Sequence, residues 1–316
     1  MKGTKTDIDC DLMIIGTGMA GMAAALFASG AGIQTALAGQ TGQLGFASGL
    51  IDLLGVHPIS QGIIAKNPWR AMESLARNEP NHPLARIKAC EIKTALNIFL
   101  KFMDQAGYPH KRRENRNLIM PTSAGTVKPT YAAAHTMAEG AEAMARQEPC
   151  LVIDFKGLQG FSSRQIAANL NSAWPGLRPV RIKFPRNEPE LLPEPLALAL
   201  ETPDIREKLA HSIAPHLGDA RSIGLPAILG IYRTLEVAED LSRTLGVPVF
   251  EIPTMVPGVA GIRIKEIFQQ QLPNRGVTAF FQHKVKKICR KNHGGWIFEV
   301  GNRSHSQIVS ARAAVV

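Results

Sequence analysis

The sequence predicts an α/β protein that opens on a parallel sheet, and three observations carry that prediction. The first is a G-x-G-x-x-G, Gly16-Thr17-Gly18-Met19-Ala20-Gly21, placed directly after the apolar run Leu12-Met13-Ile14-Ile15. The second is that Leu12 to Ile51 contains no Asp, Glu, Lys or Arg. The third is a change of pattern after Gly276, where short alternating strands are separated by polar turns such as Asn292-His293-Gly294-Gly295.

Each element has a local reason. A strand, a glycine turn and a small-residue helix bring backbone N–H groups against a phosphate. Gly16 lets the chain turn as it leaves the strand, Gly18 admits a phosphate to the backbone, and Gly21 lets the helix lie close on the sheet. The helix is predicted over Met19 to Ser29 with Gly30 as its stop, and a second strand over Gln34 to Ala38. The recurrent glycines from Gly16 to Gly49 exclude a membrane span. Asp7, Asp9 and Asp11 before the apolar run exclude a signal peptide.

Further along, Glu91 to Ala106 reads as an amphipathic helix closed by Gly107, with Ile92, Leu96, Phe99, Leu100 and Met103 on one face. Leu118 to Met120 is a strand, followed by a loop or hairpin over residues 121–129. Leu151 to Asp154 and Arg178 to Phe184 are strands, and Phe161 to Leu170 is a helix capped by Ser162 or Ser163. Thr202-Pro203-Asp204 starts another helix. Pro226 to Leu245 is the longest helical pattern, Val249 to Ile252 a strand and Ala260 to Leu272 a helix. Strands are expected at Val277 to Phe281, Val285 to Arg290, Trp296 to Val300 and Gln307 to Val309, with Ala313 to Val316 as a buried strand.

Together these elements make a Rossmann-like two-dinucleotide-binding flavoprotein fold with an inserted α+β cap domain. Residues 1–60 and 260–316 form the flavin-binding domain, and 61–259 form the cap, a substrate or subunit-contact domain. Clefts between such domains are where substrates usually sit.

Composition narrows the function. The 316 residues are 45% hydrophobic and 20% charged, as in a soluble enzyme with a large core. The net charge is +10, and the one basic cluster, His110-Lys111-Arg112-Arg113, fits a solvated loop, an anionic membrane surface or a phosphorylated substrate. Aromatic residues are only 6% and do not interleave with basic ones, so nucleic acid is not a partner. Cys10, Cys90, Cys150 and Cys289 lie far apart, and His211 and His216 have no second ligand pair nearby. These spacings give neither an iron–sulfur cluster nor a metal site, and imply free thiols in a reducing cytosol. The end of the second strand reads Ala38-Gly39-Gln40, without the carboxylate that holds an adenosine ribose. Gln40 is the only substitute there. This disfavours NAD and suits FMN, with FAD as the alternative flavin.

Several segments resemble the B-subunit family of the anaerobic glycerol-3-phosphate dehydrogenases: residues 39–55, 121–130, 160–170, and the run from Gly224 through Thr254. The similarity spans most of the chain. It implies a flavin-bearing component of a complex that oxidises sn-glycerol 3-phosphate to dihydroxyacetone phosphate. It also implies an FAD-bearing catalytic subunit, and an iron–sulfur subunit that anchors the complex at the inner face of the cytoplasmic membrane. Electrons would pass to quinone, for fumarate or nitrate respiration. The chain itself is expected to be cytoplasmic, peripheral on the membrane only through those partners. The family continues past a point like Val316 into a Leu-Ala-Thr-Gly-type turn and a cofactor-closing segment; the sequence, expected to be a truncated gene or a partial chain, ends before both.

The expected cofactor contacts are Gly16, Gly18, Met19, Ala20 and Gly21 through their amides, then Gln40, Ser48 and Gly49. Ser48 reads equally as a turn serine. No catalytic residue is assigned. Lys128 and Arg263 are candidates for holding an anion, though exposed ion pairing suits both, and His135 is a candidate base. Two rivals stand beside the flavin-bearing reading: an NAD(P)-dependent dehydrogenase, and a scaffold component that has lost its flavin.

Overall fold

A computed structural model describes residues 8–186, 191–302 and 306–316. The chain divides into two compact units, the first holding residues up to Ala47 and from Gly261 to Val316, the second Ser48 to Ala260. Asp7 lies outside the described residues.

In chain order, β1 (Ile8–Ile15), α1 (Met19–Gly30) and β2 (Thr35–Gly39) begin the first unit, followed by a 3₁₀ turn, Thr41–Phe46. The second unit carries β3 (Leu50–Ile51), α2 (Pro68–Asn78), α3 (Ala89–Gln105), β4 (His110–Arg112), β5 (Leu118–Pro121), β6 (Val127–Thr130) and β7 (Ala132–Ala134). It continues through α4 (His135–Arg146), β8 (Cys150–Phe155), α5 (Ser163–Leu170), β9 (Leu177–Ile182), α6 (Pro193–Leu200) and α7 (Pro203–Ile213). Its last elements are β10 (Ser222–Pro226), α8 (Thr234–Leu245) and β11 (Val249–Ile252). The chain returns through α9 (Val259–Asn274) to β12 (Thr278–Phe281), β13 (Lys284–Arg290), β14 (Trp296–Gly301) and β15 (Ser306–Val315).

The first unit is one six-stranded sheet in the order β12-β2-β1-β15-β14-β13. β12, β2, β1 and β15 run parallel, and β15-β14-β13 form the antiparallel meander expected after Gly276. Met13, Ala36, Ala38, Phe298, Val300, Val309 and Ala311 form its core. Two strands are longer than predicted, for one reason. β1 pairs with β15 from Ile8↔Val309 to Ile14↔Val315, so each extends the other beyond its own apolar run. The expected burial of Ala313 to Val316 is not found; these residues are exposed. Past Ala311, β15 keeps β1 as a neighbour but has run beyond the end of β14. α1 also runs one residue further than predicted, and the left-handed residue that follows it is Gly32, φ +76°.

The second unit is built on a four-stranded parallel sheet, β11-β10-β8-β9, with a small antiparallel sheet, β3-β7-β4, and the hairpin β5-β6. The predicted helix from Pro226 is corrected here. Ser222–Pro226 is the strand between β8 and β11, residues 227–233 form a loop, and only Thr234–Leu245 is helical. Only Pro226 of that apolar run lies in the strand; Ala227, Ile228 and Leu229 are buried in the loop that follows it, and Gly230, φ +74°, breaks the backbone before the helix. The basic cluster is a strand rather than a loop, though Lys111 and Arg112 are exposed as expected. His110, Lys111 and Arg112 pair with Ala134, Ala133 and Ala132, Arg112 donates to the Tyr131 hydroxyl at 2.6 Å, and Arg113 pairs with Glu142. The boundary expected near residue 60 falls at Ser48, because Leu50 and Ile51 pair with Ala133 and Ala132.

Candidate functional site

The glycine turn sits at the C-terminal end of β1, where ligands of open α/β sheets bind. Gly16 has φ +125°, a conformation L side chains rarely adopt, and its N–H donates to the Ala38 carbonyl at 2.8 Å. A Cβ on Gly21 would lie 1.9 Å from the Gly16 carbonyl oxygen, so that position admits only glycine. Gly18 is different. It is the extended N-cap residue of α1, and a Cβ there would meet only the movable end of the Gln43 side chain, at 3.2 Å. The space over Gly18 is therefore open to a ligand, while Gly21 is closed by the fold itself. No side chain caps α1 and no acid stands in its first turn, which leaves the positive end of its dipole to an outside anion.

Around the turn lies a cavity of about 550 Å³, lined from β1, β2, the 3₁₀ turn and the start of β13. Gly16, Thr17, Gly39, Gln40, Gln43 and Lys284 bring their polar groups to it, and its lining contains no carboxylate. Gly39 explains part of this. A Cβ on it would stand 2.7 Å from the Thr17 amide nitrogen, so the end of β2 is pressed against the turn and cannot carry an acidic side chain. Thr17 is buried and its hydroxyl has no hydrogen-bond partner among the described residues. A buried hydroxyl left in that state costs free energy that a ligand acceptor would recover. Gly261 of α9 holds the 3₁₀ turn in place, its backbone packed against the carbonyls of Leu44 and Gly45.

The sequence-derived contacts Gly16, Gly18, Met19, Ala20, Gly21 and Gln40 thus come together in the first unit. Thr17, Gln43 and Lys284 join them and were not foreseen. Thr17 stands in the motif at a position open to any residue, and Gln43 and Lys284 arrive through the 3₁₀ turn and the meander. Ser48 and Gly49 belong to the second unit. There the Ser48 hydroxyl accepts from the Leu50 amide at 3.4 Å, as a turn serine does, and Gly49, φ +78°, packs on Tyr108 and Met137.

Of the other candidates, Lys128 is ion-paired with Asp52 at 2.7 Å. His135 is exposed at the start of α4, its pKa lowered by partial burial and by Lys111 against the pull of Glu239 and Glu139. Arg263 lies inside α9 and is 1% exposed, which excludes the exposed ion pair expected for it. The titratable group that sequence reading missed is His110. Burial pushes its pKa down to about 4, while its Nδ1 meets the Tyr108 carbonyl at 3.0 Å. Among the described residues no cluster of His, Cys, Asp or Glu could hold a metal, and no helix is long and apolar enough to cross a membrane. The four cysteines are free.

Residues 11–314 match the FAD binding domain family. The chain belongs to that family. It is also 28% identical over 286 residues to the B-subunit of the anaerobic glycerol-3-phosphate dehydrogenase of Vibrio vulnificus, covering 85% of this chain and 64% of that protein. The probable B-subunit of the anaerobic glycerol-3-phosphate dehydrogenase of Halobacterium salinarum is 30% identical with the same coverage. The resemblance read from residues 39–55, 121–130, 160–170 and 224–254 is therefore confirmed. The chain spans less than two thirds of the length of these relatives. Among solved structures, a 3-ketosteroid-delta4-(5alpha)-dehydrogenase from Rhodococcus jostii RHA1 is 13% identical, covering 98% of this chain and 46% of that one. Its TM-score is 0.32, too low to bear on function.

Proposed function

We propose that this chain is the flavin-binding part of a quinone-linked dehydrogenase that oxidises sn-glycerol 3-phosphate to dihydroxyacetone phosphate, with FAD as its flavin. The observation that carries the reading is the glycine turn. Gly21 is seated on the Gly16 carbonyl, the first turn of α1 has no acid and no side-chain cap, and the buried Thr17 hydroxyl lacks a partner, all in an FAD binding domain. The amides of Gly18, Met19, Ala20 and Gly21 would hold the phosphates, and Thr17 would donate to the same anion. Gln40 and Gln43 would meet hydroxyl groups where a carboxylate is sterically shut out at Gly39. The match to the FAD binding domain family supports FAD as the flavin over FMN.

A bound flavin supplies two-electron redox chemistry; the residues described here bind and orient it and keep negative charge away. The names of the relatives support a multi-subunit complex. In this reading the FAD-bearing catalytic subunit removes the hydride, so this chain needs no base of its own. The iron–sulfur subunit takes the electrons towards quinone at the inner face of the cytoplasmic membrane. The purified chain should be yellow, and acid release should yield FAD. A folded, colourless protein that takes up neither FAD nor FMN would overturn the proposal; release of FMN would overturn its choice of flavin.

A further inference from the structure

The outermost strand of the first unit's sheet is open along one side. β13 ends the order β12-β2-β1-β15-β14-β13, and among the described residues it pairs with β14 alone. Past a bulge between Val285 and Lys287, that pairing is regular from Lys287 to Arg290. Among the described residues, the main chain of this stretch makes no hydrogen bond outside the sheet. Its outward amides and carbonyls are therefore offered to any extended chain that lies along them. No proline interrupts the strand, and Ile288 near its middle is 49% exposed.

The side chains indicate which chain would fit. Residues 267–298 contain no Asp or Glu. Lys284, Lys286, Lys287 and Arg290 are exposed, and none forms an ion pair among the described residues. Residues directly opposite in an antiparallel pair share a face of the sheet. Lys284 is opposite Gly301 and Lys287 opposite Glu299, whereas Ile288 is opposite the buried Phe298 and Arg290 opposite Trp296, itself 37% exposed. Lys286 donates to the Ser306 hydroxyl at 3.0 Å, and Ser306 is opposite Gly301, so Lys286 joins the other two lysines. One face of the edge thus carries three lysines, offset only by Glu299, and the other carries Ile288, Arg290 and Trp296. A second copy of the strand would set lysine against lysine. A lipid headgroup layer has no line of amides and carbonyls to pair. What complements both faces is an extended segment whose acidic residues face the lysines and whose alternate, apolar residues face Ile288 and Trp296.

We propose that β13 is a docking edge for a protein partner, which adds an acidic, extended segment to the sheet as a further strand. The test is fluorescence anisotropy of a labelled alternating Glu-Val octapeptide titrated with the 316-residue chain. Binding should be saturable and weaken about tenfold in about 0.5 M salt. The same peptide with its alternate amides N-methylated should not bind, because it cannot donate to the edge. Lys286→Gln with Lys287→Gln, both exposed, should leave the unfolding temperature unchanged and lower affinity about tenfold. Lys284 is kept intact in this variant because it also lines the cavity at the glycine turn. No binding of the alternating peptide would overturn the proposal, as would equal binding by its N-methylated form or affinity unchanged in the lysine variant. So would binding to phosphatidylglycerol vesicles, lost in the lysine variant, by a chain that ignores the peptide; that would assign the strand to a lipid surface.

Discussion

The parallel strands of the two larger sheets end in different surroundings. In the second unit the chain supplies its own anions. Asp154 at the end of β8 accepts from the Ser163 amide at the start of α5 at 2.9 Å and is gripped by Arg181 at 2.7 and 3.0 Å. Glu251 accepts from the Leu229 amide at 2.7 Å, and Glu201 from the amides of Ile231 and Tyr232 at 2.8 and 2.6 Å. In the first unit, β1 leads into α1 with no acid in the helix's first turn, no side-chain cap and a partnerless threonine hydroxyl. In the second unit these carboxylates occupy amides that follow the strands, whereas the turn after β1 has none beside it, which is the difference the proposed flavin site rests on.

The comparison can be broken or sharpened by substitution, beginning where the effect is greatest. Gly21→Val forces a side chain into the Gly16 carbonyl; the turn should be lost, with flavin binding abolished and thermal unfolding at a clearly lower temperature. A pH titration of stability comes next. Burial holds the His110 pKa at about 4, below its ordinary 6.5, so the unfolded chain binds the proton first. Stability should be constant above about pH 6.5 and fall progressively towards pH 4, by up to about 3 kcal/mol, as seen by urea denaturation. His110→Gln should flatten that slope; a slope unchanged in the variant would show that another group is responsible.

Asp154→Ala should cost about 2 kcal/mol, because it strips the acceptor from the Ser163 amide and from Arg181, with flavin affinity unchanged. A matching loss of flavin would erase the distinction between the two sheets. Thr17→Val is the subtlest change. Without flavin it should leave stability equal or slightly higher, since the hydroxyl has no partner to lose. With flavin it should weaken binding about tenfold, near 1.4 kcal/mol, by isothermal titration.

What the sequence made legible follows from how local each signal is. The β1–turn–α1–β2 unit is written in adjacent residues, and the structure matches it within a few positions. The hairpin at residues 118–130 and the α7 start at Thr202-Pro203 were equally local. Pro226 to Leu245 misled because the loop after β10 is itself buried, so Ala227, Ile228 and Leu229 read as the start of the apolar face of a helix that begins only at Thr234. Lys284 and Gln43 were invisible for a related reason: long-range packing, not spacing, carries them to the cavity. The missing carboxylate near Gln40 was seen at once. Its cause, the contact of Gly39 with Thr17, is a property of the folded turn alone.

Gly18 tests the central claim most directly, because the fold closes Gly21 but leaves the space over Gly18 to a ligand. The measurement is flavin occupancy, by visible absorbance against protein, of a folded Gly18→Leu chain. The account predicts native stability with occupancy reduced at least a hundredfold. Full occupancy in that variant would mean that the phosphates are held elsewhere.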